Sequence, residues 1–77
     1  MSGPELRQRL LDTLIERVKE ETYPSVTMMN RIEGSLLTQE QLEDYGEALL
    51  EKIEATRFPS MSMLQRFDSV VAKLESS

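Results

Sequence analysis

Six carboxylates, those of Glu40, Glu43, Asp44, Glu47, Glu51 and Glu54, lie close together in the sequence, with Lys52 the one cation among them. Paired carboxylates do acid–base work when a cleft desolvates one of them and shifts its proton affinity. Nothing in the sequence builds such a cleft around these six. With no Cys and no His, the chain also lacks a thiol nucleophile, a disulfide, a zinc or haem ligand and an imidazole base. No catalytic residue, cofactor or bound metal is therefore expected. The cluster suits docking onto a basic protein surface, or imitation of a nucleic-acid backbone, because concentrated like charge steers association. The plainer alternative is a solvated helix face. Against it stands the one-sidedness, since such faces usually mix signs, as Glu16, Arg17, Lys19 and Glu20 do.

A second set of residues recurs. Tyr23-Pro24-Ser25 is echoed by Phe58-Pro59-Ser60, and Met28, Met29, Met61 and Met63 follow closely behind. Methionine is flexible and polarizable, so it fills cores and also lines adaptable grooves. Tyr23 and Phe58 are expected to act first as lids over the apolar interior. Their second expected role is as partner anchors, with Met28 and Met63 as further candidate contacts. Ser25 and Ser60 fit helix N-caps.

These echoes belong to a longer duplication, in which residues 14–33 align without gaps onto residues 49–68 at a displacement of 35. Identities fall at Leu14/Leu49, Glu16/Glu51, Pro24/Pro59, Ser25/Ser60, Met28/Met63 and Arg31/Arg66, and most other pairs are conservative. That period is the size of one helix–turn–helix unit, although two units fall short of the three or more that a solenoid usually needs. In length the unit resembles a tetratricopeptide repeat. The Trp, Gly-Tyr and Ala signature of that family is missing, so no peptide-binding function is carried over.

Punctuation places the helices. Ser2 and Glu5 have capping-box spacing, and Leu6, Leu10, Leu11, Leu14, Ile15 and Val18 recur at helical intervals, which predicts a first helix from about Pro4 to Thr22. Pro24 ends it, because the residue before proline is pushed out of the α region. A short second helix runs from about Pro24 or Ser25 to Gly34, where glycine suits a left-handed C-cap. Thr38 and Gln41 form a capping box, with Leu37 and Leu42 as its hydrophobic staple, and open the third helix. Its apolar face holds Leu42, Tyr45, Gly46, Leu49, Leu50 and Ile53; the six carboxylates take the other face. A fourth helix carries Met61, Leu64, Phe67, Val70, Val71 and Leu74.

The expected fold is all-α, a four-helix arrangement built from two tandem αα-hairpins over a single domain, 1–77. Repeat one covers about 4–34 and repeat two about 38–75. Residues equidistant from each turn should share a layer. That pairs Val18 with Met29, Ile15 with Ile32, Leu11 with Leu36, Ile53 with Leu64 and Leu50 with Phe67. The same rule predicts matching ion pairs, Glu16 with Arg31 and Glu51 with Arg66.

Charge narrows the function. Fourteen acidic against nine basic side chains give a net charge of -5, a field that repels polyanions, so no direct nucleic-acid contact is expected. A helix-turn-helix across Gly34 fails for the same reason, since its recognition helix would be the acidic third one. No apolar run approaches the roughly 20 residues of a membrane span, and no signal-peptide pattern opens the chain, so a cytoplasmic protein without membrane contact is expected. The expected role is non-catalytic, a small interaction or adaptor protein with a protein partner. A homodimer is a second expectation, because two hairpins this short bury little on their own. The alternative is an acidic inhibitor, like small immunity proteins in charge and size only, that blocks a basic active or nucleic-acid-binding surface.

Overall fold

In the computed structural model, which describes residues 2–76, the chain forms four helices: α1 (Gly3–Glu20), α2 (Val26–Glu33), α3 (Gln39–Ala55) and α4 (Met61–Glu75). No strand occurs among the described residues. Each helix opens on the residue that the sequence nominates. Ser2, Ser25, Thr38 and Ser60 stand in extended backbone and accept from Glu5, Met28, Gln41 and Met63 N–H respectively, which satisfies a donor that the first turn leaves free. At Thr38 the capping box is complete, because Gln41 Oε1 accepts in return from the Thr38 N–H at 3.0 Å. Leu37 and Leu42 both pack against the core.

Two local expectations fail. Gly34 is not left-handed: its φ of -83° and ψ of -2° are right-handed. The last carbonyls of α2 are satisfied instead by a tight continuation, with Ser35 N–H donating to Ile32 O and Ser35 Oγ to Arg31 O at 2.7 Å. Leu36 does not face Leu11 in a layer. Since α2 ends at Glu33, Leu36 stands in the connecting segment and is 92% exposed.

α1 packs on α2, α3 on α4, and α1 on α3. α1 and α3 run parallel. Gln41, at the start of α3, reaches the Gln8 carbonyl and Asp12 of α1, whereas Lys52, near the end of α3, reaches the Lys19 carbonyl near the end of α1. One consequence is that the two Pro-Ser turns lie at the same end of the molecule. The core joins all four helices through Ile15, Val18, Met29, Ile32, Tyr45, Ala48, Leu49 and Val70. Gly46 is buried where α3 meets α4; a Cβ there would stand 3.2 Å from Val70 Cγ1, so the absence of a side chain sets the helix spacing.

The ion pairs differ from expectation. Among the described residues neither Glu16–Arg31 nor Glu51–Arg66 forms. Glu16 lies 3.4 Å from Lys19, and Arg66 bonds Glu33 at 2.7 Å. α2 and α4 thus communicate directly, and the arginine of one half serves the carboxylate of the other.

Candidate functional site

The six carboxylates of α3 do not form one uniform surface. Glu40, Glu43, Asp44 and Glu47 line a groove of about 500 Å³ with Gln8 and Asp12 of α1, Thr38 and Gln41. Glu51 and Glu54 are exposed further along the helix, outside the groove. A groove around four of the six carboxylates departs from the expectation that no cleft surrounds them, and it follows from the parallel approach of α1. Asp44 is already engaged, accepting from Lys19 Nζ at 2.5 Å. That hydrogen bond raises the Lys19 ammonium above its ordinary value, against the opposing effect of burial. Gln41 forms the floor. It is buried, and its amide donates to Gln8 O at 3.2 Å and to Asp12 Oδ1 at 3.0 Å. A buried amide needs such partners. No group of three or more acidic side chains among the described residues is arranged to hold a metal ion.

The aromatic turns lie at the end that α1 and α3 share. Tyr23 is 91% and Phe58 82% exposed, so neither ring is a lid. Each stands beyond the last helical residue, in a bend directly before a proline, which disfavours continuation of the helix there. The half-buried residues at these positions are Pro24 and Pro59. Val26 and Met61 are exposed just after the rings, and the Arg57 guanidinium sits 5.6 Å from the centre of the Phe58 ring. Met28 and Met63 are half-buried against the core.

Two features escaped sequence reasoning. The first is a buried network in which the Tyr45 hydroxyl donates to Glu33 Oε2 at 2.5 Å, and Arg66 Nη1 donates to the same oxygen at 2.7 Å. Burial, and then the bond to Glu33, push the Tyr45 phenol far above its ordinary value. Arg66 Nε is buried without a partner. The recurrence of Arg31 at Arg66 was the available signal, but hairpin symmetry pointed Arg66 to Glu51 instead of Glu33, and Arg31 to Glu16, which it does not meet. The second is a groove of about 560 Å³ lined by Leu6, Arg7, Leu10, Arg31 and Leu36, at the outer edge of α1 and α2. Leu6 and Leu10 belong to the predicted apolar stripe of α1, yet they are 52% and 43% exposed.

Among the described residues, no helix is long and apolar enough to cross a membrane. No family model, curated protein or solved structure matches the chain.

Proposed function

We propose that the four helices are two tandem αα-hairpins of one 35-residue repeat, and that the domain is a non-catalytic interaction or adaptor protein. The observation that carries this reading is the exposure of Tyr23 and Phe58 at one end of the molecule. Large apolar side chains left in water cost about 1.5–3 kcal/mol each relative to burial, so aromatic rings exposed at one end of a molecule point to a binding surface there. With Val26 and Met61 also exposed three residues further on, two aromatic rings supply the rigid anchors that dominate binding energy in many interfaces. The partner is a protein with a complementary apolar depression.

The acidic groove supports a second reading, an inhibitor that occupies a basic surface of another protein. Five carboxylates, from Asp12, Glu40, Glu43, Asp44 and Glu47, line that groove, with no Lys or Arg in its lining.

The discriminating experiment compares partner capture by the native chain, by a Tyr23→Ser/Phe58→Ser variant and by Glu47→Lys, each at low and high salt. A partner lost with the turn variant and insensitive to salt supports the apolar interface. A partner lost with Glu47→Lys and released by salt supports the acidic one, because screening weakens exposed charges most.

A further inference from the structure

We propose that a second copy of this chain docks head to tail. The outer face of α3–α4 of one copy covers the outer face of α1–α2 of the next, in the register by which α3–α4 pack on α1–α2 within one chain. The proposal rests on the non-catalytic binding role and concerns faces separate from the aromatic turns.

The charges carry the argument. Inside the chain, Glu33 pairs with Arg66 and Lys19 with Asp44, while Lys52 donates to the Lys19 carbonyl. In the 35-residue register, Glu33 and Arg66 correspond to Asp68 and Arg31, a carboxylate and a guanidinium again. Lys19 and Asp44 correspond to Glu54 and Arg9, with the signs exchanged on both sides, so the contact stays attractive. Lys52 corresponds to Arg17, still a cation, facing the counterpart of Lys19. Asp68, Arg31, Glu54, Arg9 and Arg17 are all exposed, and none has an ion pair among the described residues. The receiving face is cationic and the presenting face anionic.

Apolar burial follows the same division. Ile15, Val18, Met29 and Ile32 are buried in one core cluster with Tyr45, Ala48, Leu49 and Val70 of the second half, whereas their counterparts Leu50, Ile53, Leu64 and Phe67 are exposed or half-buried. On the receiving side Tyr45 is fully buried, while its counterpart Leu10 is 43% exposed in the Leu6–Leu36 groove. Arrays of helical hairpins blunt their ends with polar faces when they must stop. Here both ends keep apolar residues flanked by opposite charges. Leu6 and Leu10 replace Gln41 and Tyr45, so the hydrogen bonds that lock the internal interface are not repeated between chains, and association is weaker and salt-sensitive. A heterologous contact of this kind adds copies until a ring closes or a filament grows.

The test is light scattering of the native chain over a concentration series at low salt, alongside Arg31→Glu and Asp68→Arg. The native mass is expected to climb from 8.9 kDa past two copies, and each single variant is expected to stay at one. An equimolar mixture of the two variants should recover the assembly, because each Glu at position 31 meets an Arg at position 68 and the native pair forms at the alternate contacts. Phe58→Ser should leave the mass unchanged, which separates this interface from the turn end. A native mass fixed at one chain overturns the proposal. So does a dimer that neither substitution disturbs, a mixture that does not recover, or an assembly that Phe58→Ser alone dissolves.

Discussion

Ile15 and Leu50 hold the same place in the two aligned halves of the sequence, yet Ile15 is fully buried and Leu50 is 38% exposed. Tyr45 and Leu10 show the reverse bias, with the second-half residue enclosed and the first-half residue open. The cause is position in the fold. α1 and α3 each meet their own hairpin partner and one another, so the faces they turn to each other are covered, whereas the face of α3 turned away from α1 and the face of α1 turned away from α3 have no neighbour. A side chain's burial here is decided by whether a neighbour follows it, and similar sequence does not guarantee a similar environment.

That contrast is broken or sharpened most strongly by truncation. Ile15→Ala removes a fully enclosed side chain and is expected to cost about 2–5 kcal/mol in urea unfolding, while Leu50→Ala, in the dilute chain, costs under about 1 kcal/mol. Equal losses would mean that the halves are covered alike. Next comes the arginine pair. Arg66→Gln deprives Glu33 of a charge-assisted bond in a mostly buried setting and is expected to cost about 1.5–3 kcal/mol, against about zero for the exposed Arg31→Gln in the monomer.

Tyr45→Phe is expected to cost about 1–2 kcal/mol through the lost bond to Glu33. It also carries a pH signature. The folded state holds the Tyr45 phenol neutral well above the unfolded value near 10.0. Its contribution is therefore fully present below that value, and stability declines as pH rises beyond it, because unfolding then releases a proton. The raised Lys19 ammonium acts in the same direction. Tyr45→Phe should thus flatten the alkaline decline without abolishing it, as unfolding midpoints measured between pH 8 and pH 11 would record. The smallest effect concerns Glu16 and Arg31. Their Gln substitutions should be additive within about 0.3–0.5 kcal/mol in a double-mutant cycle, since the two side chains do not pair.

Local chemistry was legible where it acts within a few residues. The serine and threonine caps, the Thr38–Gln41 box and both proline breaks act through contacts three or four positions apart, and all appear at the named residues. The candidate surfaces were less legible. Hairpin symmetry assigns heights along two helices but says nothing about a third, so it paired Arg66 with Glu51 and overlooked Glu33. Apolar character alone suggested that Tyr23 and Phe58 lie over the core, although both stand in the bends past the helix ends and are exposed.

The sequence by itself determined four helices, their starting residues and the one-sided charge of α3, because capping, periodicity and proline geometry are short-range effects. Only the tertiary structure decided which faces those helices share. Parallel packing of α1 on α3 made a groove of the acidic face, joined Glu33 to Tyr45 and Arg66, and left Leu6, Leu10 and Leu36 in water. Burial depends on what lies across a helix as well as along it, and residues brought together across helices can be far apart in the chain.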